Sequence, residues 1–157
     1  MSPEVTDARA ADAHLALLDR GERVGCAESL TGGELAARLS GTPGASGTFT
    51  GGVVSYATEV KRDLLGVTSD FVVSADCAEQ MASGVRKLLG VDWALSTTGV
   101  AGPDQQEGQP VGTVYVGIAG PPGVRSVHLA LDGSRAEIRK AACAAAVELL
   151  LSEVSDG

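Results

Sequence analysis

The stretch Ala27-Glu28-Ser29-Leu30-Thr31-Gly32-Gly33 lies between a short apolar run at residues 23–26 and a helix-like run at residues 34–40. Here a strand must hand over to a helix within a few residues. The two glycines supply the turn, and Ser29 and Thr31 supply hydroxyls. This junction commits the chain to a strand–turn–helix unit whose helix packs back onto a sheet. It also leaves backbone N–H groups unpaired at the positive end of a helix dipole. A phosphate oxygen or the oxyanion of a reaction intermediate is favoured there. On position alone Ser29 is an anion ligand, a nucleophile or a plain helix cap.

The rest of the chain repeats the alternation. Residues 6–20 read as an Ala/Leu-rich helix, with Ala8, Ala11, Leu15 and Leu18 at three- and four-residue steps as its apolar face and Gly21 as its stop. Residues 23–28 form a buried strand, and residues 49–56 a second, centred on Val53 and Val54. The pair Gly51-Gly52 lets a backbone or a ligand come close to that second strand. Residues 58–65 read as a short helix capped by Thr58, and residues 74–89 as a longer one capped by Ser74 and ended by Gly90. Residues 93–97 are a third strand and residues 99–110 an irregular loop. Residues 113–119 and 125–131 form a hairpin around Gly120-Pro121-Pro122-Gly123, and residues 134–154 a terminal helix. This order predicts an α/β fold, a parallel sheet covered on both faces and made mixed by one antiparallel strand from the hairpin. Ligands of such sheets bind beyond the carboxyl ends of the strands. The first three strands end at Ser29, Tyr56 and Thr98-Gly99, which converge if those strands are parallel.

The 157 residues are read as a single domain, residues 1–157, without repeat or linker. A net charge of −8 and an aromatic fraction of 3% argue against a nucleic-acid partner, which calls for basic stripes and stacking platforms. An anionic small substrate then needs a local positive site. The three cysteines, Cys26, Cys77 and Cys143, are odd in number and widely spaced, which suits a reducing compartment. No apolar run approaches 20 residues, so no membrane association and a cytoplasmic location are expected. His14 and His128 stand far apart and no paired-cysteine spacing occurs, so neither a metal nor a cofactor is expected.

Three motifs in order carry a resemblance over about residues 10–151. They are Ala27-Glu28-Ser29-Leu30-Thr31-Gly32-Gly33; then Gly51-Gly52-Val53-Val54-Ser55-Tyr56 followed by Lys61; then Thr98-Gly99-Val100-Ala101-Gly102-Pro103 followed by Pro110-Val111-Gly112-Thr113-Val114-Tyr115. Together they resemble the CinA C-terminal domain family, the nicotinamide-nucleotide amidohydrolases, in a stand-alone form. The resemblance implies a three-layer α/β/α sandwich with a mixed, mostly parallel five-stranded sheet. It also implies hydrolysis of nicotinamide mononucleotide to nicotinic acid mononucleotide and ammonia, as in pyridine nucleotide salvage. Many relatives carry a further N-terminal domain similar to molybdopterin-binding proteins, and no activity of that domain is expected here. The family usually has Cys at the position of Leu30, Asn near Thr58, and a more glycine-rich loop than Asp104-Gln105-Gln106-Glu107-Gly108.

Amide hydrolysis needs a nucleophile, a base, an oxyanion site and an acid for ammonia. With the resemblance, the catalytic candidates are Ser29 as nucleophile, Lys61 as base and Tyr56 as proton relay. A lysine in a dry pocket loses proton affinity and serves as a base. The plain alternatives are a solvated Lys61 beside Glu59, Arg62 and Asp63, and a Tyr56 that simply caps the sheet. Backbone N–H groups near Thr31, Gly32 and Gly33 are candidates for the oxyanion. Gly52, Thr98, Gly99, Ala101 and Gly102 are candidates for holding the substrate. Arg135 and Arg139 are the basic candidates for its phosphate, with Arg139 assigned to substrate binding, although both could equally pair with carboxylates. Glu28 could orient Lys61 or bind a backbone group. The Ala/Leu-rich terminal helices suit a homodimer. The alternative to an enzyme is an inert nucleotide-binding or regulatory module that keeps the pocket without turnover.

Overall fold

The five strands line up in the order β2-β1-β3-β4-β5, so the first strand sits inside the sheet between the second and third. The computed structural model describes residues 2–155. The strands are β1 (Val24–Glu28), β2 (Phe49–Val54), β3 (Trp93–Gly99), β4 (Thr113–Gly120) and β5 (Gly123–Ala130). The helices are α1 (Pro3–Arg20), α2 (Glu34–Ser40), α3 (Thr58–Leu65), α4 (Ala75–Leu89) and α5 (Arg135–Val154). Strand β1 pairs in parallel with both β2 and β3, while β4 runs antiparallel to its neighbours β3 and β5. Only β4 opposes the others, as the hairpin requires. Glu28 is paired with Val54 on one side and with Thr97 on the other. The carboxyl ends of three parallel strands therefore lie side by side.

Strand β1 is buried along its whole length, which explains its continuous apolar run. Its side chains alternate between two cores. Val24 and Cys26 join Leu17, Leu35, Leu95, Ile138 and Leu150 under α1, α2 and α5. Ala27 joins Cys77, Met81, Val85 and Ala94 under α4. The result is three layers, helices on both faces of one sheet. Helix α4 presses close to β4 because Gly117 has no side chain; a Cβ there would stand 2.5 Å from the Ala78 carbonyl oxygen. Among the described residues no helix is long and apolar enough to cross a membrane.

Helix α1 departs from the expected orientation. Its buried face is Thr6, Ala10, Ala13, His14 and Leu17. Leu15 and Leu18, expected to face the core, are 61% and 53% exposed. Alanines on every side of α1 leave the apolar stripe weakly defined, and two polar residues lie inside. His14 is satisfied there, its Nδ1 2.6 Å from Thr48 Oγ1. The cap of α3 also differs: Ala57 holds the N-cap position and Thr58 is the first helical residue. Ser74 caps α4 as expected, accepting a hydrogen bond from the Cys77 amide.

Candidate active site

A cavity of about 400 Å³ opens where β1, β2 and β3 end. Ser29 and Leu30 from the β1 turn, Tyr56 and Lys61 from the β2–α3 segment, the residues from Thr98 to Gln106, Val72 and Arg135 line it. The size is that of a small-molecule pocket.

The turn after β1 is held by a buried carboxylate. Glu28 is fully buried, and its Oε1 accepts hydrogen bonds from the Leu35 amide (2.8 Å) and Thr31 Oγ1 (2.5 Å). Its Oε2 accepts from the Ala36 amide at 3.0 Å. The positive end of α2 is thus already occupied by the protein's own anion. Gly33 supplies the N-cap with φ 105° and no side-chain bond of its own, so Glu28 does the capping from the end of β1.

Thr31 lies beneath the site. It is fully buried, between Glu28 and Thr97, with the two threonine hydroxyl oxygens 2.8 Å apart. Gly32 and Gly33 form the left-handed turn behind it and do not line the cavity. Of the turn's amides, some are taken within the protein and others are left without an acceptor. The Ser29 amide is taken by the Thr97 carbonyl at 3.0 Å, and the Gly32 amide by the Ser29 carbonyl at 3.1 Å. Among the described residues, the amides of Leu30, Thr31 and Gly33 have no acceptor. The Leu30 N–H, directly after Ser29, is in the usual place for an oxyanion donor beside a serine nucleophile.

Ser29 Oγ has no hydrogen-bond partner among the described residues and is not bonded to Lys61; both side chains line the same cavity. Such contacts often close only when substrate is bound. Lys61 is 2% exposed, on the inner face of α3. Its Nζ donates to the carbonyls of Ser55 (2.7 Å) and Tyr56 (2.9 Å). A neutral amine has two N–H donors and one lone pair. Two carbonyls take two N–H donors, and in the neutral form the lone pair is left for a third direction. Burial pushes the Lys61 pKa below its ordinary 10.5, opposed by the nearby Cys77 and Glu107. Cys77 itself is pushed up to about 11, chiefly by burial, so its thiol carries no charge near neutrality.

Tyr56, expected as a relay, lines the cavity with its hydroxyl bonded to Arg135. The residue is 57% exposed, and its hydroxyl accepts the hydrogen bond from Arg135 Nη2 at 2.8 Å. It meets Lys61 through its backbone carbonyl. Arg135 also donates from Nη1 to the Gly102 carbonyl at 2.6 Å, tying three elements together at the mouth. Arg135, the first residue of α5, is the arginine that lines the cavity. Arg139, one turn later, does not; its Nη2 donates to the Thr31 carbonyl at 3.1 Å and its Nε is buried without a partner. Gly52 is also outside the cavity. On β2 it makes room for Cys26, whose Sγ would be 2.9 Å from a Cβ at that position.

Ser29, Tyr56, Lys61, Thr98, Gly99, Ala101 and Gly102 are thus brought together, whereas Thr31, Gly32, Gly33, Gly52 and Arg139 support the site from outside. Sequence reasoning missed Val72, a wall residue from the connection before α4, and marked the loop holding Gln105 and Gln106 without assigning either residue to the site. Nothing local marks Val72 as part of the site. Among the described residues, no set of three His, Cys, Asp or Glu side chains gathers into a metal-binding group.

The CinA C-terminal domain family matches residues 6–154. A CinA-like protein of Frankia casuarinae is 48% identical over 139 residues, covering 85% of this chain and 32% of its own length. This chain therefore spans about a third of that relative. A crystal structure of a competence-damaged protein (CinA) superfamily protein from Klebsiella pneumoniae superposes with a TM-score of 0.91 at 30% identity, covering 97% of this chain and 99% of that one. The competence/damage inducible protein CihA of Agrobacterium tumefaciens also gives 0.91, at 32% identity and 97% coverage of both chains. Fold, motif order and these matches agree: the chain belongs to the CinA C-terminal domain family.

Proposed function

We propose that this domain hydrolyses the carboxamide of nicotinamide mononucleotide, giving nicotinic acid mononucleotide and ammonia. The observation that carries the reading is Lys61, a buried amine on two carbonyls, facing the same cavity as an unpartnered serine hydroxyl. Ser29 Oγ attacks the carboxamide carbon as Lys61 Nζ takes its proton. The carbonyl oxygen becomes an oxyanion held by the Leu30 N–H. Collapse returns the proton from Lys61 to the leaving nitrogen and expels ammonia, leaving an ester on Ser29. Water, deprotonated by Lys61, then cleaves that ester and frees the acid.

Thr98, Gly99, Ala101 and Gly102 form the wall that receives the ring and ribose, their small side chains or backbone allowing close approach. Arg135 is the cation for the phosphate, exchanging its bond to Tyr56 for a bidentate contact. Tyr56 holds Arg135 ready at the mouth. The exposed Leu15 and Leu18 of α1 support a homodimer, which sedimentation analysis checks directly.

The test is ammonia release from nicotinamide mononucleotide by the parent chain, Ser29→Ala and Lys61→Met. Turnover lost in both variants supports the reading. Full turnover in Ser29→Ala removes the nucleophile. Tight binding without product in the parent chain selects a nucleotide-binding module instead.

A further inference from the structure

We infer that Glu107 is a positioning residue of the site, clasping the loop at residues 100–112 onto the Val72 wall beside Lys61. Its carboxylate spans two consecutive amides: Oε2 accepts from Val72 N at 3.0 Å and Oε1 from Val73 N at 2.7 Å. Val72 is held from its other side too, because its carbonyl accepts a hydrogen bond from Thr98 Oγ1 at 2.5 Å. A wall residue of the cavity is therefore fixed between the end of β3 and the loop that covers it. The loop closes on itself through the Gln109 amide, which donates to the Gln106 carbonyl at 2.8 Å, and it presents Gln105 and Gln106 to the cavity.

Two further observations set Glu107 apart from an ordinary surface carboxylate. It is the one non-glycine residue with positive φ among the described residues, at 53°. That conformation belongs to the tight turn closed between Gln106 and Gln109, whose two central residues, Glu107 and Gly108, both take positive φ, and it aims the Glu107 side chain back at α4's N-terminal connection. Its charge also favours the protonated form of Lys61, against the effect of burial. The other group acting on Lys61 from a packed element is Cys77 of α4, uncharged near neutrality. The charged neighbours on its own helix, Glu59, Arg62 and Asp63, are exposed to solvent. Glu107 is thus placed to fix the wall and to moderate the amine with one carboxylate.

The kinetic arm of the test rests on the amidase reading; two other arms do not. Glu107→Gln removes the charge with little change of shape, and Glu107→Asp keeps the charge but shortens the reach. Hydrogen exchange at the Val72 and Val73 amides is expected to quicken on the order of tenfold in both variants, as their acceptor is weakened or withdrawn. The Lys61 titration, followed by NMR at its Nζ, is expected to move to lower pH in Glu107→Gln and to stay near the parent value in Glu107→Asp. With nicotinamide mononucleotide, the acid limb of kcat/KM should move with it, while KM rises in both variants. Unchanged exchange at Val72 and Val73, or a Lys61 midpoint that does not separate the two variants, overturns the assignment. A parent chain that releases no ammonia defeats the amidase reading alone, since exchange and titration still decide the role of Glu107.

Discussion

Two ionisable side chains lie buried within a few residues of Ser29 and Tyr56, and they are treated oppositely. Glu28 is fully enclosed, with three donors around its carboxylate. Lys61 is almost as enclosed, yet its nitrogen meets two carbonyls and an open cavity. A buried charge is tolerated when its partners satisfy it, and it then acts as structure. A buried amine left with one direction free is a candidate for proton transfer. The difference lies in what faces each group, since burial is nearly the same.

Of the two residues, the lysine is the more sensitive to replacement. Lys61→Met should lower ammonia release by roughly 10³-fold, the range for loss of a general base, with the fold retained by circular dichroism. Glu28→Ala tests the other half and should act first on stability. It strands the Leu35 and Ala36 amides and the Thr31 hydroxyl, at a cost of about 3 kcal/mol in chemical denaturation. A stable Glu28→Ala protein with lost turnover would reverse the roles assigned to the two residues. Arg135→Ala, at the mouth, should raise KM by about tenfold with kcat little changed, whereas Arg139→Ala should leave KM alone.

Stability against pH sharpens the same contrast. The folded Lys61 pKa lies below 10.5, so between the two values the unfolded chain binds more protons. Stability contributed through this group therefore rises with pH across that window and is lost as pH falls toward the folded value. Lys61→Met should flatten that part of the curve. The smallest effect belongs to the exposed face of α1: Leu15→Ser should change monomer stability by less than about 0.5 kcal/mol.

The sequence carried the strand and helix order well, because glycine, proline and serine punctuate it and β1 is apolar throughout. The convergence of Ser29, Tyr56 and Thr98-Gly99 followed from parallel strands, whereas Lys61 was marked by the family resemblance and not by its own charged surroundings. What it concealed is tertiary. Nothing local says that Glu28 reaches the Leu35 and Ala36 amides at the start of α2. Arg135 and Arg139 sit on one helix a turn apart, and only the position of the α5 start relative to the sheet decides which reaches the mouth. Glu107 and Val72 are 35 residues apart, with no shared pattern to link them. The inward face of α1 was hidden by its alanines and by a buried histidine paired with Thr48.

The most direct test of Lys61 as the base for Ser29 is the pH profile of kcat/KM for ammonia release from nicotinamide mononucleotide by the parent chain. With Lys61 as the base, the acid limb falls with unit slope and its midpoint lies below the ordinary lysine value of 10.5. A rate that stays flat across the acid side, or a limb centred at that ordinary value, would contradict it.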